Sequence, residues 1–447
     1  MKNEWLLLSI SVLVTLIAAL GVIRWMAPGL LGVPVDLQLV QVDEKLPPFY
    51  EGAFRREQGK EGELMLKDPL TRVRARPFLQ DMQPVAYGPH DMLGFRNYSV
   101  PAVVDVVAIG DSQTYGNNAF LSQNWPSKLA DRLAGKNVDV YNMSTGGWGA
   151  IQYQSMFTKA VSFQPRVIVI AFYSGNDPIE SFQDAYGNEN WGWLKPDQAL
   201  SPADIPPIEF PAPESEWWEV AFSDEVKTIF TPVLRYSSNS DHPVVNAGYE
   251  IMAGVVRDIG TTADKISAKI VFTIIPTKEL AYAEKVKQEN LQPPESYTTL
   301  VESERRHIDK LEAAIRSLPG VEYVDVVTKL QQAVLGPVPL YPSSIDGHPV
   351  FAGYQVIGNT IADHVSGFID KQADGLLALE VAEGHRIYLL RDNGLRMFES
   401  LDFILQNGWA TANVKVVKPR DIAGYPFIGN ISEVDPDRYG PLDRLDQ

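Results

Sequence analysis

The sequence predicts an α/β protein, a flavodoxin-like three-layer α/β/α sandwich built on a five-stranded parallel sheet. Three observations predict it. Short runs rich in β-branched residues alternate with amphipathic stretches of helical period, as a parallel sheet covered on both faces requires. The runs are apolar throughout rather than at every second residue, which marks strands buried on both sides. The first three runs end in blocks of Gly, Ser, Asn and Asp, at the strand ends where open α/β sheets bind ligands.

The first strand is expected at 103–109, Val-Val-Asp-Val-Val-Ala-Ile, and the others at 138–141, 167–173, 269–275 and 321–327. Helices are expected near 124–134, 151–163, 246–267, 299–317 and 351–369. Trp125, Leu129 and Leu133 recur at four-residue spacing in the first of these. In the fourth, Leu300, Ile308, Leu311 and Ile315 trace a buried stripe while Glu302, Glu304 and Arg305 face water.

The expected domain organisation is a membrane anchor at 1–27, a Pro- and Gly-punctuated lead-in at 28–100, the α/β domain at 101–370 and a small β-rich module with an acidic tail at 371–447. An insertion at 181–246 separates the third and fourth strands and carries Trp191, Trp193, Trp217 and Trp218. Tryptophan faces suit sugar-ring stacking above the crevice; the plainer reading is a mini-core for a loop too long to stay structureless. In the last module, Asn393-Gly394 between apolar runs reads as a hairpin turn. With so thin a core, that module is expected to dock on the main domain or on a cell-envelope partner.

Four blocks carry the chemistry: Gly110-Asp111-Ser112-Gln113-Thr114-Tyr115-Gly116, Asn142-Met143-Ser144-Thr145-Gly146-Gly147-Trp148-Gly149, Gly175-Asn176-Asp177 and Asp346-Gly347-His348-Pro349. A serine on a Gly-bracketed turn at a strand end has its hydroxyl pushed into the crevice, and its own N–H is free to face a developing oxyanion. Such a hydroxyl is a poor nucleophile until a base takes its proton.

These blocks, in this order and over Asp91–Ile369, resemble the SGNH (GDSL-like) hydrolase family. The resemblance implies that Ser112 is the nucleophile, His348 its general base and Asp346 the residue that orients the imidazole. It further implies an oxyanion hole made by the backbone N–H groups of Ser112 and Gly147 and the side-chain amide of Asn176. The Asp346–His348 spacing departs from the family, which usually has two residues between them where this chain has only Gly347. Asp91-Met92-Leu93-Gly94-Phe95-Arg96-Asn97 resembles a segment that precedes the nucleophile in bacterial members. Pro276-Thr277-Lys278-Glu279 resembles a string of exopolysaccharide-associated relatives, where Lys278 either pairs with an acidic sugar or is a solvated or salt-bridged lysine. Asp177 is expected to be structural, Trp148 to line the pocket or pack below it, and His307 and His364 to be structural. His242, in a second Asp-His-Pro string, is the rival base.

The implied activity is a serine esterase that removes acetyl or another small acyl group from an extracytoplasmic glycan. The same groups would serve an O-acyltransferase, and a vestigial site would leave a glycan-binding scaffold. In alginate-type acetyltransferases the Asp-x-His block precedes the serine; here it follows, the ordinary hydrolase order. No metal or organic cofactor is implied. The 56 acidic and 39 basic residues, a formal net charge of -17, argue against a nucleic-acid partner. The absence of cysteine excludes disulfides, thiolate metal sites and a thiol nucleophile.

Trp5–Ile23 is an apolar run broken only by Ser9, Ser11 and Thr15, long enough to cross a bilayer core of about 30 Å. It is expected to be an uncleaved single-pass anchor with the bulk of the chain extracytoplasmic. Full-length protein should then pellet with membranes, resist carbonate extraction and still carry its first residues. Protease added outside should digest everything beyond about Pro28. A soluble mature protein beginning near Leu20 would make the segment a signal peptide.

Overall fold

Five strands hydrogen-bond in parallel at the centre of the molecule: β3 (Val106–Gly110), β4 (Val140–Ser144), β5 (Val167–Tyr173), β8 (Lys269–Ile275) and β9 (Val321–Val324). Their spatial order is β4-β3-β5-β8-β9, the flavodoxin-like arrangement. In the register, Gly110 stands opposite both Ser144 and Ala171, so β3, β4 and β5 reach the same edge together. The computed structural model describes residues 65–77, 79, 88–101 and 104–369, apart from 137, 210–211 and 240. It also describes 375–381, 384–391, 394–398, 415–417, 422 and 427–431. The expected span Trp5–Ile23 lies outside them, and among the described residues no helix is long and apolar enough to cross a membrane.

Successive side chains of a strand point to opposite faces, and here both faces are covered. Val107, Ile109, Ile168, Ile170, Phe272 and Ile274 enter one core cluster, with helices α3 (Ala150–Ser162), α5 (Pro243–Gly260) and α8 (Glu295–Arg316). Val106, Ala108, Val167, Val169, Val271 and Ile275 enter the other, with α2 (Trp125–Arg132), α9 (Val326–Ala333) and α10 (Phe351–Val365). Two-sided burial is the physical reason that these runs carry no polar alternation.

The remaining helices are α1 (Ser112–Tyr115), α4 (Asp177–Gly187), α6 (Lys278–Ala281) and α7 (Ala283–Gln288). Several boundaries differ from their expected places. The first two strands start later, at 106 and 140, and run on to Gly110 and Ser144. The last strand, expected to reach 327, stops at Val324 because the Asp325 carboxylate accepts from the Thr328 N–H and caps α9. The helix expected at 246–267 starts at Pro243, a residue suited to a first helical position, and ends at Gly260. The expected insertion begins inside α4, which runs on from Asp177 to Gly187.

Within that insertion, β6 (Trp218–Ala221) and β7 (Lys227–Phe230) form an antiparallel hairpin. Trp191 is fully buried with its indole N–H on the Leu70 carbonyl, and Trp217 donates to the Ala212 carbonyl. Trp218 packs edge-on to Tyr297 at 4.8 Å. The insertion therefore joins the main core rather than forming one of its own, with Trp191 in the first cluster and Trp218 packed against the second, while Trp193 is 37% exposed.

The described part of the expected lead-in is packed on the domain. A hairpin of β1 (Met65–Asp68) and β2 (Arg72–Ala75) precedes Gly88–Val100, and Val73, Phe95 and Val100 belong to the first core cluster. At the other end, β10 (Gly375–Val381), β11 (Gly384–Arg391), β12 (Gly394–Phe398), β13 (Lys415–Val417) and β14 (Phe427–Ile431) form a sheet in the order β13-β10-β11-β12-β14. β11 and β12 pair antiparallel as the expected hairpin, but Gly394, expected in the turn, is the first residue of β12 and stands opposite Arg391. One face of this sheet holds its own cluster of Leu377, Tyr388, Leu390, Leu395 and Val417. Leu389, Phe398 and Ile431 join the first core cluster.

Close helix packing depends on Gly248 of α5, where a Cβ would stand 2.0 Å from the Pro178 carbonyl oxygen of α4. Backbone cannot yield as a side-chain tip can. Gly248→Ala should push α4 from α5 and lower unfolding free energy by about 1–3 kcal/mol, read as a drop in the chemical-denaturation midpoint. An unchanged midpoint would show that the two helices are not held this closely.

Candidate active site

Ser112, Gly147 and Asn176 each follow the end of one framework strand. Asp111 and Ser112 follow β3, and the carboxylate of Asp111 accepts the Gln113 N–H and starts the single turn of α1. Gly110 is the last strand residue, and its missing side chain leaves room for Thr114, whose Oγ1 would be 2.1 Å from a Cβ. Gly147 follows β4 and has φ +72°, a left-handed conformation that glycine adopts without strain. Asn176 follows β5 at the start of α4 but makes no capping hydrogen bond. Because β3 lies between β4 and β5, Ser112, Gly147 and Asn176 leave adjacent strands at one edge.

The fourth block arrives from the opposite end of the domain. The Asp346-Gly347-His348 loop lies ahead of α10, which packs on α2; Tyr354 of α10 donates its hydroxyl to the Asn117 carbonyl, 2.8 Å away. His348 Nε2 stands 2.8 Å from Ser112 Oγ, and His348 Nδ1 2.7 Å from Asp346 Oδ1. The backbone N–H of His348 also donates to that carboxylate oxygen, at 2.9 Å. A spacer of one residue therefore suffices, because the loop folds back so that ring and backbone share one acceptor.

Burial alone would raise the Asp346 carboxyl. The hydrogen bond from the His348 ring, the charge that ring carries when protonated, its backbone N–H and the Asn118 amide together hold it well below the usual carboxylate range. An ionised Asp346 keeps the proton on Nδ1, and Nε2 then presents its lone pair to the serine hydroxyl. The side chains of His348 and Asp346 are 24% and 40% exposed, so an ester reaches the site from solvent. Ser112 Oγ has a second acceptor in Asp111 Oδ2 at 3.2 Å, whose carboxyl burial pushes up to about 6. The backbone N–H groups of Ser112 and Gly147 donate to no group among the described residues, which leaves both for a ligand.

The alternatives resolve by placement. His242 caps α5, with Nδ1 accepting from the Val244 N–H at 3.3 Å, and does not join the Ser112 chain. Asp177 is fully buried and accepts from the Tyr173 N–H and the Tyr153 hydroxyl, a structural anchor. Trp148 is fully buried, packs edge-on to Phe95 and donates to the Val73 carbonyl, so it lies below the site. His307 stacks on Tyr249 at 4.1 Å, and His364 lies in the last turn of α10, 3.8 Å from Glu322. Lys278 is neither solvated nor salt-bridged: it is fully buried, with its ammonium on three backbone carbonyls. Among the described residues no group of three His, Cys, Asp or Glu side chains is placed to hold a metal ion.

Sequence reasoning passed over several residues that shape the site. Arg96, fully buried, donates to the carbonyls of Gly88, Tyr115, Gly116 and Ala119 and so fixes the chain just after Ser112. Asn97 bridges Asp91 and the Asn142 carbonyl, which joins the same segment to the end of β4. Asn117 Nδ2 approaches His348 Nε2 at 3.5 Å. The Asn117-Asn118 pair after Gly116 was the available signal, since Asn tolerates the left-handed conformation found at Asn118 (φ +64°).

Ser112, His348 and Asp346 thus have the geometry of a Ser-His-Asp triad at the carboxyl edge of a parallel α/β sheet. Residues 106–199 match the family model of GDSL-like lipase/acylhydrolase, so this stretch carries a domain of that type. No curated protein matches the chain. Among solved structures, it is similar to an acetylxylan esterase from Geobacillus stearothermophilus (10% identity, 60% of this chain and 97% of that one, TM-score 0.32). It is also similar to a GDSL-like lipase from Bacteroides thetaiotaomicron (13% identity, 59% of this chain and 89% of that one, TM-score 0.30).

The buried carboxyls around the site make stability depend on pH. Glu304, expected to face water, is instead fully buried; burial raises it to about 7 and Asp91 and Asp111 to about 6. A carboxyl with a raised folded-state pKa stabilises while protonated, and that contribution is lost as pH rises through the folded value. The melting temperature should therefore fall between about pH 4 and about pH 7 at constant ionic strength. Glu304→Gln should flatten the upper part of that slope; an equal slope in the variant would mean that Glu304 is not the group titrating.

Proposed function

We propose that this protein is a serine esterase in which Ser112 attacks an ester carbonyl, His348 takes its proton and returns it to the leaving alcohol, and Asp346 orients and stabilises the imidazolium. One observation carries the reading: the continuous hydrogen-bonded chain Asp346–His348–Ser112, with contacts of 2.7 and 2.8 Å. The free N–H groups of Ser112 and Gly147 and the Asn176 amide are the donors for the oxyanion. Each such donor contributes about 3 kcal/mol because it is already aimed when charge develops. Water then resolves the acyl-enzyme, with His348 as base in the second half-reaction as in the first.

The substrate class we favour is an acetyl or other small acyl ester on a glycan. The partial exposure of His348 and Asp346 supports it, since an ester carried on a polymer needs a site that solvent reaches. The hydrolase order of the motif blocks favours water over a sugar hydroxyl as acceptor. We further infer that Trp5–Ile23 anchors the enzyme in the membrane with this domain outside the cytoplasm. The full-length protein in detergent, incubated with acetylated glycans, should release free acetate rather than transfer acetyl to added acceptor. Transfer as the main product would make it an O-acyltransferase using the same groups.

Ser112→Ala and His348→Ala should each lower turnover of a short-chain aryl ester by several orders of magnitude with the fold intact, because such groups act as a unit. His242→Ala should leave it unchanged. A folded Ser112→Ala protein with near-normal turnover would end the serine mechanism.

Asn176→Ala should lower kcat by about 10²–10³-fold with little change in KM, since its amide acts on the transition state. A change confined to KM would make Asn176 a substrate-binding residue instead.

A further inference from the structure

The loop that carries the acid–base pair has no secondary structure of its own: residues 336–350, from the end of α9 to the start of α10, form only turns and bends. Its internal hydrogen bonds among the described residues are few: Asp346 N–H to Ser344 Oγ at 3.4 Å, the His348 N–H and ring Nδ1 to Asp346 Oδ1, and Val350 N–H to the Leu340 carbonyl. Yet His348 must stand within tenths of an ångström of its place, because proton transfer requires hydrogen-bond reach.

The missing constraint comes from below. Lys278, at the start of α6, is fully buried, and its ammonium donates to the carbonyls of Ile229 at 2.7 Å, Ser344 at 2.8 Å and Asp346 at 3.1 Å. All three ammonium protons are used, and none goes to a carboxylate. Next to it, Glu279 pairs with Arg235 at 3.2 Å and accepts the Thr231 N–H at 3.0 Å. The Arg235 guanidinium fills the space under Gly347: a Cβ there would stand 2.4 Å from Nη2. Any side chain at position 347 would therefore force the Arg235 guanidinium to shift. Thr277, just before Lys278, is itself held by the buried Glu304 through its N–H and hydroxyl.

We propose that Lys278, with the Arg235–Glu279 pair, is a positioning brace that fixes the Asp346-Gly347-His348 loop against Ser112. Lys278 touches neither substrate nor reacting atoms; it acts through the Asp346 backbone. Burying an ammonium on carbonyl dipoles alone is costly, which is the expected expense of a site that needs geometry more than stability. The charged groups facing Lys278 are Glu279 on its own helix, Arg235 from the insertion and Asp346 on the loop; burial, aided by the Arg235 charge, outweighs the two carboxylates and pulls its pKa down to about 8. Above that pH a neutral amine has two protons for three carbonyls, and the brace loosens. The insertion thereby gains a role, since it supplies both the Ile229 carbonyl and Arg235.

This inference rests on Ser112 and His348 being the nucleophile and base. The test uses full-length protein in detergent, hydrolysis of an aryl acetate and the rate of serine labelling by a fluorophosphonate, across about pH 6–10. Lys278→Met should lower kcat and labelling roughly 10- to 100-fold, with KM nearly unchanged. Wild-type rates should fall through about pH 8 toward the Lys278→Met level, while the variant stays flat over that window. A Lys278→Met enzyme with wild-type rates and profile would overturn the brace. Should that variant fail to fold, the wild-type profile still decides: no alkaline fall, and the brace is wrong. Gly347→Ala should reproduce the loss in kcat. Ser112→Ala separates the two ideas, because retained labelling there would refute the nucleophile itself.

Discussion

Two-sided burial of a parallel sheet is the constraint on which the rest of this molecule depends. Val106–Gly110 and Val167–Tyr173 are buried at every position, so no loop can cross either face and each connection must pass through a covering helix. All strands then point the same way, and their carboxyl ends meet at one edge. The order β4-β3-β5 sets Ser112 between Gly147 and Asn176 with no further device. A nucleophile flanked by two candidate oxyanion donors is thus a consequence of topology, and the chemistry is added by residue type.

What topology does not provide is precision in the loops, and buried polar side chains provide it instead. Arg96 collects four carbonyls around the turn after Ser112, and Lys278 collects three beneath Asp346. Glu304 holds Ser174 and Thr277, at the ends of β5 and β8, through one carboxyl group. Each arrangement removes a charged or polar group from water and returns hydrogen bonds to backbone that strands and helices leave unsatisfied. Cationic groups suit this task because several N–H donors on one centre can gather carbonyls from different segments.

The appended segments are drawn into the same scheme. The hairpin before the domain gives Val73 to its core, and the Trp191 and Trp148 indoles each close on a carbonyl of that hairpin region. Arg72 reaches the Gly147 carbonyl while paired with Glu180 and Asp184, so the turn after β4 is held from outside the sheet. The β module contributes Leu389, Phe398 and Ile431 to the larger core cluster, in keeping with a small sheet that cannot bury both of its faces alone.

The strand-helix alternation, the sheet and the four chemical blocks were legible in the sequence because each is local. Apolar runs without alternation reveal two-sided burial, and Ser112, Gly147 and Asn176 stand within a few residues of their strands. Element ends were less legible where a cap decided them, as Asp325 does for the last strand. The partners of His348 could be named from a motif, but Lys278, Arg235 and Glu279 could not be connected to it. Between residues 235, 279 and 347 there is no periodicity to read; they meet only when α6 and the insertion pack beneath the loop. The sequence alone determined which groups are available to react. Tertiary packing decided how they are held, because the carbonyls that Lys278 satisfies, and the space that Gly347 leaves for Arg235, exist only once distant segments are in contact.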